Sequence, residues 1–485
     1  MKQTQHIAIR RKRPHVIHLS AECYPVAKVG GLGDVVGALP KYLQQQGFEA
    51  WVVMPWYNKP FVDTHDFDLV YRGNIRQGSR PLPVEVYREQ HDTLGFGLFL
   101  VKIPGLLDRD DVYGYADESE QFMAFQHGFL QWIADEGIQP DVIHCHDHHA
   151  GLVPFLMYHC EQFSALKEIP TVGTVHNGEY QGWMGWNKAI LLPSFDTWKW
   201  GLLDWDGMIN PLAALIKCCW VYTAVSEGYL RQLAEQSNGL EQLFKLEQQK
   251  GIGIVNGIDA TLWDPSADLM LYRNYGTADA QSGKKANKVS LCRTFGLDAS
   301  MPLLAYIGRF AGEKGADLLP PLIDQVLADM DDGLSVVVLG SGDPAVETAM
   351  RHLGEKHSGR LGVYIGYQEQ LAHQIYAASD FLIMPSRIEP CGLNQLYAMR
   401  YGTVPVVRST GGLRDTVPDI DTEAGYGITF QQAGIEDAAT AIGRALRLYQ
   451  NKKQLQQLRK RIMGLDFSWA RSTAKYIQIY EQLMH

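Results

Sequence analysis

Asp380-Phe381-Leu382-Ile383-Met384-Pro385-Ser386-Arg387-Ile388-Glu389-Pro390-Cys391-Gly392-Leu393 runs from an apolar segment through a turn into a helical pattern, Leu393-Asn394-Gln395-Leu396-Tyr397-Ala398-Met399. The apolar segment predicts a buried strand, and the turn sets one carboxylate, Glu389, beyond its end. A helix start presents unpaired N–H groups and a partial positive charge, which suits a phosphate. A carboxylate beside a phosphate pocket repels the phosphate unless it faces something else, such as a sugar hydroxyl or a developing cation. The combination points to a sugar-nucleotide site.

Outward from this point, short apolar strands recur, each followed by a helical pattern. In the first half they are predicted at 16–19, 51–54, 98–102, 142–145, 171–175, 222–226 and 252–255. In the second half they fall at 303–307, 335–339, 362–365, 381–384, 404–407 and 427–430. Intervening segments such as 34–46 and 370–379 carry helical spacing. Continuous Val/Ile/Leu runs, rather than strict alternation, imply burial on both faces, the mark of parallel sheets in α/β folds. The polar tract 276–288 predicts a surface excursion.

A boundary near Asn256-Gly257-Ile258-Asp259 leaves two pieces, 1–258 and 259–465, each able to hold a doubly wound parallel sheet. Ligands of such sheets bind at the C-terminal strand ends, and two facing domains would make a cleft. The final helical segment, 466–485, is assigned to the first domain.

With 485 residues, 46% hydrophobic and 20% charged, the chain reads as an ordinary globular protein of two or more domains. A net charge of −10 argues against a nucleic-acid-binding surface, and the run Arg10-Arg11-Lys12-Arg13 reads as a solvated arm. No apolar run is long enough to span a bilayer, and the N-terminus lacks the apolar region of a secretory signal. Seven cysteines, an odd number without a Cys-x-x-Cys pair, fit a reducing compartment. The expected location is the cytoplasm.

Several Gly-rich turns lie at strand ends. Lys28-Val29-Gly30-Gly31-Leu32-Gly33-Asp34 follows the first strand; its glycines admit close backbone approach and its lysine adds a cation. It lacks the Gly-x-Gly-x-x-Gly spacing of a dinucleotide fingerprint. Ile307-Gly308-Arg309-Phe310-Ala311-Gly312-Glu313-Lys314-Gly315 carries two cations, Arg309 and Lys314, able to neutralise a leaving diphosphate. Ser409-Thr410-Gly411-Gly412-Leu413 precedes another helix and is a further candidate phosphate contact.

The run His144-Cys145-His146-Asp147-His148-His149 has zinc-type ligands, but neighbours on a strand point to opposite faces, so few can converge. Delivery of Asp147 and one or two imidazoles to a strand end fits better, and His176 is similarly placed after 171–175. The triplets Asp108-Arg109-Asp110, Asp204-Trp205-Asp206, Asp329-Met330-Asp331 and Asp419-Ile420-Asp421 read as polar loops rather than sites for a diphosphate-bound ion. The aromatics Trp183, Trp186, Trp198, Trp200 and Trp205 could stack on sugar rings or pack in a core or capping flap.

Taken together, these segments resemble bacterial glycogen synthases and plant starch synthases, retaining glucosyltransferases with the two-domain GT-B fold. The resemblance runs from Lys28 to the last helix. It rests on Lys-x-Gly-Gly-Leu at 28–32, His-x-His-Asp at 144–147, Thr-Val-His-Asn at 174–177 and Asn-Gly-Ile-Asp at 256–259. Gly-Arg-x-x-x-x-Lys-Gly at 308–315, Pro-Ser-Arg-x-Glu-Pro-Cys-Gly-Leu at 385–393 and Ser-Thr-Gly-Gly-Leu at 409–413 complete it.

The resemblance implies transfer of glucose from ADP-glucose to the non-reducing end of an α-1,4-glucan, glycogen or maltooligosaccharide, with configuration retained. It implies no cofactor, no metal ion, no nucleic acid and no membrane. Catalytic roles would fall on Glu389 near the donor glucose and on Arg309 and Lys314 at the diphosphate. His176 would lie at the sugar's hydroxymethyl group and Asp147 on the acceptor side. Lys28, Gly30, Gly31, Asn256, Gly308, Cys391, Gly392, Leu393, Thr410, Gly411 and Gly412 would line the substrate site. The leaving phosphate could take the acceptor's proton on the same face, with a covalent carboxylate intermediate as the rival path.

Three positions depart from the family pattern. Tyr397 stands where a second Glu often contacts ribose, Ile388 replaces the aromatic before Glu-Pro-Cys, and His148 replaces the Trp after His-Asp. Two alternatives remain at this stage: a GT-B transferase using UDP-glucose, and a catalytically silent glucan-binding relative.

Overall fold

The computed structural model describes residues 13–329 and 333–484. Arg10-Arg11-Lys12 and most of the Asp329-Met330-Asp331 triplet lie outside the described residues. The chain forms two compact units: one comprises the residues up to Ala224, Leu233–Ile252 and the chain from Thr473 on, the other Val225–Gln232 and Gly253–Ser472.

In the first unit the strands are β1 His15–Leu19, β2 Glu49–Pro55, β3 Phe67–Gln77, β4 Arg80–Glu89, β5 Gly97–Lys102, β6 Val142–His146, β7 Thr171–Val175, β8 Asp204–Trp205, β9 Met208–Ile209, β10 Val221–Ala224 and β11 Gly251–Gly253. Nine form one sheet in the order β11-β10-β7-β6-β1-β2-β5-β4-β3, while β8 and β9 make a separate small hairpin. Strands β5, β2, β1, β6, β7 and β10 pair in parallel. Their order is that of a doubly wound sheet, and its direction of winding reverses between β1 and β6.

The hairpin β3–β4, antiparallel with β4 also antiparallel to β5, is absent from the sequence reading. Its residues alternate between buried and solvated positions, a weaker signal than a continuous apolar run. Pro81 and Pro83 also speak against a strand interior, yet both lie before the residues Glu85 to Arg88 that pair with β5.

The second unit holds β12 Leu303–Phe310, β13 Ser335–Gly342, β14 Leu361–Ile365, β15 Phe381–Met384, β16 Val404–Arg408 and β17 Ile428–Phe430. They form a parallel sheet in the order β14-β13-β12-β15-β16-β17, again doubly wound, reversing between β12 and β15. Leu304, Tyr306, Val336, Val338, Phe381 and Ile383 pack on one face. Leu303, Ala305, Val337, Leu339, Leu382 and Met384 pack on the other. Burial of successive residues on opposite faces is why these strands read as unbroken apolar runs.

Two expectations are corrected. The tract 276–288 is no surface excursion: it enters the helix Ala280–Phe295, in which Lys284, Asn287 and Lys288 are buried. Its buried polar groups are engaged. Lys284 Nζ donates to the carbonyls of Tyr376, Ala377 and Tyr401 and to Thr403 Oγ1, and Lys288 pairs with Asp380 at 2.7 Å.

The unit boundary also differs from 258/259. The second unit begins at Gly253, takes in Val225–Gln232, and keeps the first residues of the helix Trp469–Leu483. Hydrogen bonds explain this. Ser226 Oγ donates to Pro390 O and Gly228 N–H to Asp415, while Ser472 Oγ donates to Val255 O. Farther along the same helix, Tyr480 meets His144 of the first unit's sheet. No described helix is long and apolar enough to cross a membrane.

Candidate active site

In the second unit the candidate residues gather where the sheet reverses. Strand β12 ends in Gly308-Arg309-Phe310, and the turn Gly312–Lys314 follows. Gly315 then adopts φ 66°, and a Cβ there would sit 2.3 Å from Pro385 O, so only glycine lets this turn lie against the loop after β15. The N–H groups of Arg387 and Ile388 donate to Glu313 O at 2.8 and 3.1 Å.

This contact brings Lys314 to Glu389. Lys314 Nζ donates to Glu389 Oε1 at 2.7 Å, Ser386 Oγ donates to Oε2 at 2.9 Å, and Glu389 is 5% exposed. The sequence reading set Lys314 against the diphosphate and Glu389 against the sugar; the structure joins the two directly. Arg309 lies nearby in the chain, but its side chain is exposed and pairs with Glu313 Oε1 at 2.8 Å.

The Thr410-Gly411-Gly412 turn follows β16 and opens the helix Gly411–Thr416. Gly411 has φ 44°, and a Cβ there would meet Glu389 O at 2.2 Å. Gly412 N–H donates to that same carbonyl at 2.9 Å. The N–H of Gly412, expected to face a phosphate, therefore holds the Glu389 backbone instead.

The helix after the Glu389 loop starts at Asn394, one residue beyond the expected Leu393, and Asn394 Nδ2 donates to Ile307 O at 2.7 Å. Gly392 precedes it with φ 74°. Cys391 is buried, and burial pushes its thiol up to about 12 despite hydrogen bonding from the Asn256 backbone, which rules out a thiolate nucleophile there at neutral pH. Tyr397 stacks on Trp263 with centroids 3.7 Å apart.

Sequence reasoning missed Arg408. It closes β16, and its Nη1 donates to the carbonyls of Ser386 and Arg387 at 3.3 and 2.9 Å. Burial, with Arg387 and Arg414 close by, lowers its pKa. Its place at the end of a predicted strand, just before a Gly-rich turn, was the available signal.

In the first unit the sheet reverses between β1 and β6, whose following loops carry Lys28 and Asp147. Lys28 Nζ pairs with Asp34 Oδ1 at 2.7 Å and is part-exposed. Gly30 precedes the helix Gly31–Gln45, and a Cβ at either Gly30 or Gly31 would meet open space. The anion at this helix start is the protein's own. Glu22, 3% exposed, accepts from Val29 N–H at 2.5 Å, Gly30 N–H at 2.9 Å and Tyr113 OH at 2.7 Å. No sequence pattern marked Glu22, because its partners come from two separate segments, the Val29-Gly30 turn and Tyr113.

Asp147 adopts φ 56°, an uncommon conformation for a non-glycine residue, at the end of β6. Its N–H donates to Thr174 O at 2.9 Å, and its Oδ1 accepts from His176 N–H at 2.7 Å. Burial pushes its carboxyl up to about 7, against the N–H groups of His176 and Asn177 that favour the anion. Burial lowers His176 to about 3, so its ring is neutral.

The nitrogens of His18, His144 and His146 come within 4.8 Å of one another, a spacing open to a metal. His18 Nδ1 nevertheless meets His146 Nε2 at 3.0 Å, and both nitrogens of His144 are taken, by Tyr480 OH at 2.7 Å and Thr174 Oγ1 at 2.6 Å. These are hydrogen-bond lengths among buried neutral groups. Of the Asp-x-Asp triplets, Asp419 and Asp421 both pair with Arg444, while Asp204 accepts from Trp186 Nε1 at 2.7 Å. Trp183, Trp198 and Trp200 are exposed, and Trp186 and Trp200 line an apolar hollow with Phe195 and Thr197.

The second unit thus offers a carboxylate, an ammonium and two guanidinium groups around one strand switch, suited to an anionic ligand and a developing positive charge. The first offers neutral imidazoles and a partly protonated carboxyl, suited to hydroxyl groups. Residues 15–246 match the starch synthase catalytic domain family and residues 293–462 the glycosyl transferases group 1 family. The chain is 46% identical to a glycogen synthase of Flavobacterium johnsoniae, over 97% of this chain and 99% of that one. It is 36% identical to a glycogen synthase of Geobacillus stearothermophilus, over 97% and 98% of the two chains. The catalytic domain of starch synthase IV from Arabidopsis thaliana, solved with ADP and acarbose, superposes with a TM-score of 0.87 at 30% identity, over 98% of this chain and all of that one. Two doubly wound sheets with these motifs at their switch points, and relatives matched from end to end, place the chain in the glycogen synthase and starch synthase family of retaining GT-B glycosyltransferases.

Proposed function

We propose that this chain transfers glucose from ADP-glucose to the non-reducing end of an α-1,4-glucan with retention of configuration. The observation that carries the reading is the Glu389–Lys314–Ser386 cluster, set where the second sheet reverses and flanked by Arg309 and Arg408. A plant relative that binds ADP and acarbose, a nucleotide and an oligosaccharide, supports the choice of substrates.

Breaking a glycosyl–phosphate bond builds positive charge on the sugar and negative charge on the diphosphate. Arg309, Arg408 and Lys314 answer the second charge, and Glu389 the first. Both oxygens of Glu389 already accept hydrogen bonds, which favours electrostatic stabilisation over attack on the anomeric carbon. The leaving phosphate takes the acceptor's proton on the same face. His176 and Asp147 serve the sugar hydroxyls, and no metal ion takes part.

Incubation with glycogen and either ADP-glucose or UDP-glucose, with released nucleotide measured, tests this. Release from ADP-glucose well above UDP-glucose is expected, with the rate unchanged in excess chelator. Release from UDP-glucose alone would assign the alternative donor. Loss of activity in chelator, restored by manganese or magnesium, would overturn the metal-free mechanism.

A further inference from the structure

Three buried imidazoles form a chain in the first unit. His18 Nδ1 meets His146 Nε2 at 3.0 Å, and His146 Nδ1 meets His176 Nε2 at 3.0 Å. His18 and His146 are fully buried and His176 is 8% exposed. Burial lowers all three below the ordinary histidine range, so each ring is neutral and carries one N–H. Two contacts joining three neutral rings admit only two proton arrangements, because every ring must donate in the same direction along the chain.

The far end of the chain selects between them. His18 Nε2 is buried and has no hydrogen-bond partner among the described residues. The nearest ring beyond the chain, His144, cannot serve it, since both its nitrogens are engaged by Tyr480 and Thr174. Were the protons to run from His176 toward His18, the chain would end in a buried N–H with no acceptor. In the other direction it ends in a bare lone pair. Orphaned buried N–H groups are the rarer and more costly case.

We propose that His18 and His146 are positioning residues that hold His176 as its Nδ1–H tautomer, its Nε2 accepting from His146. Asp147 fixes the His176 backbone through the 2.7 Å bond to its N–H, so main chain and ring are both set from within the fold. The consequence for catalysis rests on the reading above, in which His176 meets a sugar hydroxymethyl group: the ring then presents a neutral N–H donor to the sugar oxygen. A donor that is neutral and already oriented discriminates a hydroxyl oxygen from a cation or an apolar group.

The test is nuclear magnetic resonance of the full chain labelled with ¹⁵N-histidine, with signals assigned by single His→Gln variants. His176 is expected to show a protonated Nδ1 and an unprotonated Nε2. In His18→Leu, which removes the donor to His146, both tautomers of His176 should be populated, and kcat/KM for the glucosyl donor should fall about tenfold. His18→Asn retains an N–H at the position of Nδ1 and should stay within about threefold of the parent. A wild-type His176 protonated on Nε2, or a tautomer unmoved in His18→Leu, would overturn the proposal. The wild-type spectrum decides even if a variant does not fold. The spectrum also needs no substrate, so the expected tautomer in a chain that transfers no glucose would sink the functional reading and leave this one standing.

Discussion

Glu389 shows how a single residue's role depends on contacts far away in the chain. Its motif marks it as functional, and Arg309 and Lys314 are equally plain from theirs. That Lys314 would touch Glu389 was not legible, because the two are 75 positions apart and only the adjacency of β12 and β15 joins them. Glu22 was invisible for the same reason, its partners lying on the Val29-Gly30 turn and on Tyr113. In Glu389→Ala, turnover should drop by about 10²–10⁴-fold, as when a charge complementary to the transition state is lost. The fold should survive, since the Lys314 side chain keeps 24% of its surface in water and can be hydrated once its partner is gone. The loss of stability should stay below about 2 kcal/mol. Steady-state rates alongside a urea melt check both parts, and near-parental turnover would remove Glu389 from the mechanism.

At the scale of elements, legibility followed burial. The parallel strands of both sheets are apolar on two faces and announce themselves. The half-solvated hairpin β3–β4 does not, nor does the helix Ala280–Phe295, whose polar residues mimic a loop. That helix is held by Lys284, buried at 2% exposure, which ties the carbonyls of Tyr376, Ala377 and Tyr401 and the Thr403 hydroxyl. These acceptors end the helix Glu369–Ala378 and precede β16, so a single side chain stitches three elements. Lys284→Met preserves the length and apolar stem but leaves the carbonyls to the hydroxyls of Tyr275, which donates to Ala377 and Tyr401, and of Thr403, which donates to Tyr376. It should destabilise the second unit by about 1–3 kcal/mol, seen as a lower melting temperature and as faster amide exchange around Tyr376 and Tyr401. A change under about 1 kcal/mol would mean that the Tyr275 and Thr403 hydroxyls suffice for these carbonyls, and that the helix is held by its apolar face with Asn287 and Lys288.

At the scale of the whole molecule, the buried histidines make the first unit the acid-sensitive one. His18, His127, His144, His146, His148, His149 and His176 all lie in it, and burial depresses every one. A ring whose folded pKa lies below the unfolded 6.5 contributes stability that is whole above 6.5 and is lost as pH falls toward the folded value. His18 and His176, near 3, and His127 and His148, near 4, each forfeit about 2 kcal/mol by pH 5. Asp147 works the other way. Its folded pKa of about 7 exceeds the unfolded 3.8, so its contribution is whole below 3.8 and is lost as pH rises through 7. At pH 5 it returns about 2–3 kcal/mol, one group against several, and the net loss is comparable to the stability of a typical domain. Urea midpoints measured from pH 8 to pH 5 should therefore fall steeply below about 6.5, with amide exchange quickening in the first unit before the second. Asp147→Asn, which keeps an acceptor for the His176 N–H but no longer titrates, should make that fall steeper. A midpoint flat down to pH 5, or exchange that quickens first in the second unit, would show that the imidazole cluster takes up protons in the native state, and with it the neutral chain from His18 to His176 would fail.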